Sequence, residues 1–150
     1  AFIDGQHIIY KDINPGLVVS LDIGLIIPVI KNCDFLTLKE IAARRNELLM
    51  QASQNNISIA DISGGTFTIT NLGMLNIRSC TAIIYPPQAA ILSVGGIFSS
   101  IEVMQDEKTA IRQIMDFTIT EDHRVLDGAA GARFLSTLKK ILEEPEKLVG

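Results

Sequence analysis

Met115-Asp116-Phe117-Thr118-Ile119-Thr120 leads into Asp122-His123-Arg124-Val125-Leu126-Asp127-Gly128, and a helical pattern from Ala129 to Glu143 leaves it. The first run carries Met115, Phe117 and Ile119 on alternate positions, the pattern of a half-buried strand. The last places Ala130, Phe134, Leu138, Ile141 and Leu142 inward at helical spacing, with Pro145 marking its end. Between them sits one of only two histidines in the chain. A strand end and a helix start hold His123 from both sides, the rigid support that a catalytic group needs. Asp127 stands where its carboxylate can cap the helix by accepting backbone N–H bonds. Four positions from His123, it also stands where a carboxylate can fix an imidazole's tautomer. By spacing, His123 is either a catalytic imidazole or a structural histidine hydrogen-bonded at a strand end.

Upstream of this segment the chain is strand-rich. Ile8, Ile9 and Tyr10 read as a short strand after an Asp4-Gly5 turn, with His7 as an exposed or core-edge polar residue at its start. Gly16 to Leu21 and Leu25 to Ile30 read as two strands around a tight bend at Asp22-Ile23-Gly24. Pro28 lacks a backbone donor, so the second run has an edge or a bulge there. Thr37 to Ser53 reads as a helix opened by a capping box of Thr37 and Glu40. Its pattern turns Leu38, Ile41, Ala42, Leu48, Leu49 and Ala52 inward and Lys39, Arg44, Glu47 and Gln51 outward. In the run Gly64 to Met74, Phe67 and Ile69 alternate with Thr66, Thr68 and Thr70. That is a strand with an apolar face and a hydroxyl face, the threonines being solvent-facing β-formers. Cys80 to Ile84 and Ala89 to Val94 read as two strands joined by Tyr85-Pro86-Pro87-Gln88, the second ended by Gly95-Gly96. Ile101 to Lys108 reads as an irregular hairpin tip. Strands with two well-separated helices predict a mixed α/β or α+β sheet packed by helices.

Composition removes several function classes. The length of 150 residues fits one ordinary domain, and 47% hydrophobic content supports a substantial core. A net charge of −4 with no Lys/Arg run argues against nucleic acid and against an anionic membrane surface as partners. The longest apolar stretch, Leu25 to Ile30, falls far short of the roughly 18–20 residues that cross a bilayer. No signal-peptide pattern opens the chain, which begins at Ala1 without an initiator Met and reads as a piece of something longer. Cys33 and Cys80 are too few for a disulfide framework and fit no metal spacing; they read as buried small hydrophobes in a reducing compartment. His123, Asp122 and Asp127 fall short of the three or four ligands of a zinc site. Thr70 and His123 could belong to a hydroxyl nucleophile triad if the fold brought them together, but no Gly-x-Ser-x-Gly elbow is present. Gly64-Gly65 lacks the Gly-Lys-Ser/Thr end of a phosphate loop.

His123-x-x-x-Asp127-Gly128, with Asp122 before and Arg124 after the histidine, resembles the catalytic signature of the dihydrolipoyl acyltransferases, the core subunits of the 2-oxo acid dehydrogenase complexes. Gly64-Gly65-Thr66-Phe67-Thr68-Ile69-Thr70-Asn71-Leu72-Gly73 is similar to a second signature of that family. Pro86-Pro87-Gln88-Ala89-Ala90-Ile91-Leu92 resembles a third. Gly24-Leu25-Ile26-Ile27-Pro28-Val29-Ile30 and the helix from Leu38 align in character. The resemblance covers essentially all 150 residues. Two positions depart: Thr70 stands where many relatives carry Ser, keeping the hydroxyl, and Ile23 stands where the family often has Arg, losing a charge near the substrate entrance.

The resemblance implies an α/β fold, a mixed sheet packed by helices of the chloramphenicol-acetyltransferase type. Residues 1–150 would be the C-terminal part of a single catalytic domain, the family's leading strand, long helix and strand, its lipoyl domain and its peripheral-subunit-binding domain being absent. It implies homotrimers that build a larger core, with coenzyme A and dihydrolipoamide entering an intersubunit channel from opposite ends. The implied activity is transfer of an acyl group, acetyl being favoured, between S-acyl-dihydrolipoamide and coenzyme A. By family position His123 is the general base, Thr70 the oxyanion donor and Asp127 the residue that holds the loop and helix start. Asn71, Gly95 and Ser20 fall where the family lines its coenzyme A channel. No metal is required. Implied partners are the lipoyl domain and the dehydrogenase and dihydrolipoamide dehydrogenase components, in bacterial cytoplasm or mitochondrial matrix. The alternative is a catalytically silent scaffold subunit of the same fold; a free small-molecule acetyltransferase is a third.

Overall fold

The computed structural model describes residues 1–22, 24–103 and 108–148. In chain order the elements are β1 (Phe2–Ile3), β2 (Gln6–His7), β3 (Pro15–Leu17), β4 (Val19–Leu21), β5 (Gly24–Ile26), α1 (Leu38–Ser53), β6 (Phe67–Asn71), β7 (Ala90–Val103), β8 (Thr109–Glu121) and α2 (Gly128–Glu143). The central sheet has the order β3-β6-β7-β8. β3 runs parallel to β6 and β6 to β7, while β8 returns antiparallel beside β7. The predicted mixed sheet packed by helices is therefore what forms.

Local chemistry explains the short elements. Asp4 and Gly5 both have positive φ, the two-residue turn that suits a tight antiparallel hairpin, and they join β1 to β2. The predicted strand at Ile8–Tyr10 is absent. Ile8 exchanges two backbone bonds with Ala1, closing the hairpin, and the chain beyond it has no strand to pair with. β4 and β5 form the predicted bend and hairpin, but the run from Gly16 is split, because its first part pairs with β6 instead. The second run is strand only to Ile26. Pro28 accepts a bond from Leu17 and donates none, and Val29 bridges Gly16.

The capping box of α1 forms as predicted: Thr37 N–H donates to Glu40 Oε2 at 2.7 Å and Glu40 N–H donates to Thr37 Oγ1 at 3.3 Å. The Thr37 hydroxyl also donates to Glu40 Oε2 at 2.7 Å, and this bond first, with the Thr37 N–H bond next, holds the Glu40 carboxyl below its usual range. The buried face is narrower than the pattern predicts. Leu48 and Ala52 are fully buried, whereas Leu38, Ala42 and Leu49 are exposed. Arg44, predicted to face solvent, turns toward Asp61 and pairs with it and with Glu47, and Gln51 is half-buried.

The threonine face of β6 is the inner one rather than the solvent-facing one. Thr68 is fully buried and donates to Gln88 Oε1 at 2.5 Å, and Thr70 is only 8% exposed. Phe67 lies on the other face, where its ring meets Phe134 of α2 at 5.8 Å. Burial of a hydroxyl is tolerated when it has a partner, and the Pro86–Pro87–Gln88 turn, whose Pro–Pro peptide is cis, supplies one.

Further expectations fail. Cys80 to Ile84 forms no strand; Ile83 is 91% exposed, and among the described residues no strand pairs with this run. Gly95-Gly96 does not end β7 but forms a bulge between Val94 and Ile97. The chain at 72–78 lies across that bulge through bare backbone: Leu72 N–H donates to Val94 and Gly96 N–H to Ile77. A Cβ on Gly95 would sit 1.8 Å from the Arg78 carbonyl oxygen, so only glycine allows this crossing. Beyond the bulge, β7 and β8 continue as a two-stranded arm, so Ile101 to Val103 is strand; the rest of the predicted tip, 104–107, lies outside the described residues. The arm leaves Ile97, Ile101, Val103 and Ile111 63–75% exposed. On α2, Phe134, Ile141 and Leu142 are also exposed rather than inward. An open cleft of about 790 Å³ separates Leu135, Leu138 and Leu142 from Met115 and Phe117 of β8. Cys33 and Cys80 are free and half-buried rather than fully buried.

Candidate active site

His123 sits on a five-residue connection from the end of β8 to the start of α2 (122–126, with Asp127 as cap). Hydrogen bonds hold the connection at several points. Asp122 N–H donates to Ala89 O at 2.8 Å, tying the loop to the start of β7. Val125 and Leu126 N–H donate back to Asp122 O. Arg124 donates from its guanidinium to both Asp122 carboxylate oxygens, at 2.9 and 2.6 Å, and from its backbone at 3.0 Å. The Arg124 guanidinium also lies 4.6 Å from the centre of the Phe2 ring, so the N-terminal hairpin stacks on the loop through a cation–π contact. Asp122 is thus the carboxylate partner of Arg124.

These bonds pull the Asp122 carboxyl from the ordinary 3.8 to about 2, the Arg124 side-chain bonds being the largest cause and its backbone N–H the next. A carboxyl whose folded value lies below its unfolded one adds stability above the unfolded value and loses it as pH falls through the folded value. Asp122→Asn is therefore less stable than the wild type at pH 7, and the two converge between about pH 4 and pH 2. Urea unfolding at pH 7, 4 and 2.5 measures this; a difference that stays constant across the series would contradict it.

Asp127 accepts a bond from Ala130 N–H at 2.7 Å, with extended backbone at the cap itself. Of the two roles left open, its carboxylate is engaged as the helix cap. Asp127→Ala costs about 1 kcal/mol of stability and Asp127→Asn only a few tenths, since both Asp and Asn are strong caps; denaturant midpoints of the two variants test the order. Neither ring nitrogen of His123 has a hydrogen-bond partner among the described residues, and the side chain is exposed. His123 is the uncommitted polar group on a loop whose other polar side chains are bonded.

The other candidate residues gather at the opposite end of the sheet. Thr70 is paired with Ser93, and Asn71 with Val94, next to Gly95. Asn71 Oδ1 accepts a bond from Gly73 N–H at 2.8 Å, so this side chain shapes the turn out of β6. Ser20 is exposed on β4, three residues past Leu17, which pairs with Ile69. Ser93 in turn pairs with Thr118, five residues before His123. β8 runs on from Thr118 to Glu121 before the loop begins, which at about 3.3 Å per residue is about 10 Å along the strand, besides two strand spacings of about 4.8 Å. One chain does not bring His123 and Thr70 together. Sequence reasoning passed over Ser93; a hydroxyl within the apolar run Ala89 to Val94 was the available signal. Among the described residues no group of three His, Cys, Asp or Glu side chains is placed to hold a metal ion, and no helix is long and apolar enough to cross a membrane.

A family model described as 2-oxoacid dehydrogenases acyltransferase (catalytic domain) matches residues 1–150. A dihydrolipoyllysine-residue acetyltransferase component of the pyruvate dehydrogenase complex from Rickettsia bellii is 37% identical over 91% of the chain, which spans 32% of that relative's length. A succinyltransferase component of the 2-oxoglutarate dehydrogenase complex from Bartonella vinsonii is 39% identical over 99% of the chain and 36% of its own. The chain thus spans about a third of the curated relatives it matches. The dihydrolipoamide acetyltransferase of Azotobacter vinelandii superposes with a TM-score of 0.90 at 32% identity, over 97% of this chain and 60% of that one. That structure belongs to an investigation of the catalytic roles of one serine, one histidine and one asparagine, the asparagine four positions after the histidine and the serine 52 before it.

Proposed function

The chain belongs to the 2-oxoacid dehydrogenase acyltransferase (catalytic domain) family, and from that premise we propose that it transfers an acyl group, acetyl by preference, between S-acyl-dihydrolipoamide and coenzyme A. The observation that carries this reading is the free imidazole of His123 on a loop otherwise fixed by its own hydrogen bonds. Such a ring is poised to take a proton without first breaking a bond of its own.

The reaction runs on thiol chemistry. Coenzyme A presents a thiol with an ordinary pKa near 8.5, and only the thiolate attacks well. His123 takes that proton. The sulfur then bonds to the thioester carbon, whose oxygen becomes an anion. Thr70 donates a hydrogen bond to this oxyanion. The intermediate collapses with loss of the dihydrolipoyl sulfur, which recovers the proton from the imidazolium. Asp127 caps α2 and fixes the loop without exchanging protons. The asparagine at the same spacing in the Azotobacter enzyme supports that division, since an amide caps as well as a carboxylate but does not act as a base. The 53-residue separation of Thr70 from His123 also lies within one residue of the serine–histidine separation there.

His123 and Thr70 are far apart in one chain, so the site is shared between protomers of a homotrimer, with His123 from one and Thr70 from the next. The exposed apolar arm of β7 and β8 and the exposed Phe134, Ile141 and Leu142 of α2 support association. Ser20, Asn71 and Gly95 line the coenzyme A entrance beside Thr70. The 150 residues form the C-terminal part of one catalytic domain; their covering 60% of the Azotobacter chain supports their being a part of it. The lipoyl domain delivers the acyl group, the dehydrogenase and dihydrolipoamide dehydrogenase components complete the complex, and the bacterial relatives support a cytoplasmic setting. The full-length protein, assayed with dihydrolipoamide and either acetyl- or succinyl-coenzyme A, transfers acetyl faster. A folded wild type that transfers neither would leave the silent scaffold standing instead.

A further inference from the structure

Directly beside Thr70 on β7 lies Ser93, and directly beside Ser93 on β8 lies Thr118. Paired residues project from the same face of a sheet whose strands lie about 4.8 Å apart, so neighbouring hydroxyls come within hydrogen-bond reach by χ1 rotation. Ser93 is 2% exposed, and its Oγ is fully buried without a hydrogen-bond partner. A buried hydroxyl in that state is rare enough to need a reason. In the row beneath, Thr68 donates its proton to the Gln88 carbonyl oxygen, while Thr120 Oγ1 on β8 is buried and, like Ser93 Oγ, has no partner among the described residues. At the level of Thr70 no such acceptor stands among the described residues.

We propose that Ser93 is a positioning residue for Thr70, the middle member of a hydroxyl row Thr118–Ser93–Thr70 that ends on the oxyanion. Each hydroxyl carries one proton and two lone pairs. When Ser93 donates to Thr70 Oγ1, that oxygen's acceptor site is filled within the sheet and the Thr70 proton points outward. Thr118 donates to Ser93 in the same sense, and successive bonds polarise one another. The row is then complete only when an anionic acceptor sits beyond Thr70. This inference rests on the oxyanion role of Thr70.

The test uses the full-length assembled protein with Ser93→Ala, Ser93→Thr, Thr70→Val and the double variant Ser93→Ala/Thr70→Val, each checked for thermal midpoint. Ser93→Ala lowers kcat about tenfold with KM for both substrates unchanged, and Ser93→Thr, which keeps the hydroxyl, recovers most of it. In the Thr70→Val background Ser93→Ala costs nothing further, because the group it acts through is gone. Full activity of Thr70→Val overturns the oxyanion assignment and the row with it. A large loss in Thr70→Val beside an unimpaired Ser93→Ala, or a Ser93→Ala loss equally large in both backgrounds, overturns the row alone.

Discussion

His123→Ala lowers kcat for acyl transfer by about 10²- to 10⁴-fold, the usual contribution of a positioned general base, and leaves the fold unchanged. Both halves follow from its surroundings. The side chain is exposed and makes no hydrogen bond among the described residues, so its removal opens no cavity and leaves none of them unpaired; the stability change stays within about 0.5 kcal/mol. The loop keeps its shape through the Asp122–Arg124 bonds and the Asp127 cap. Substrate binding is made elsewhere, so KM for coenzyme A changes little. Steady-state kinetics with a denaturant midpoint on the same preparation measure both quantities. A loss of activity that tracks a loss of stability would return His123 to a structural role.

Thr70→Val lowers kcat by about 10²-fold, equivalent to about 3 kcal/mol of transition-state stabilisation for one oxyanion donor. Valine is the informative replacement because Thr70 is buried in mid-strand. It keeps the branched shape and strand preference and removes only the hydroxyl. Thr70→Ser keeps the donor and retains most of the activity. Rates for the three side chains that follow size rather than hydroxyl content would point to packing.

How much of this was legible in the sequence depends on what each residue's state is decided by. The Thr37–Glu40 box and the Asp127 cap read correctly because both are contacts within three residues. The bend between β4 and β5 read correctly for the same local reason. Cys80 to Ile84 misread because strand preference expresses packing beside a neighbour, and no strand among the described residues pairs with it. Gly95-Gly96 read as a stop because glycine weakens strands; here its missing Cβ admits the crossing backbone at 72–78 instead. The threonines of β6 were assigned to solvent by polarity, whereas Gln88, twenty residues beyond Thr68, supplies the acceptor that lets Thr68 go inside. The amphipathic patterns of α1 and α2 located the apolar stripes but not what covers them, which is why Leu38, Leu49 and Phe134 lie exposed. As for the site, the His123 loop declared itself by its strand–loop–helix frame. The distance to Thr70 did not, since strand register is a property of the folded sheet.

Mixing the two inactive variants tests the shared site most directly. Full-length His123→Ala and Thr70→Val protomers, dissociated together and reassembled at equal amounts, give sites in which each half is intact with even odds. In a head-to-tail ring about a quarter of the wild-type activity returns. Reassembled trimers containing both variants that show only the residual activity of the parents would contradict the account, because His123 and Thr70 would then have to meet within one chain.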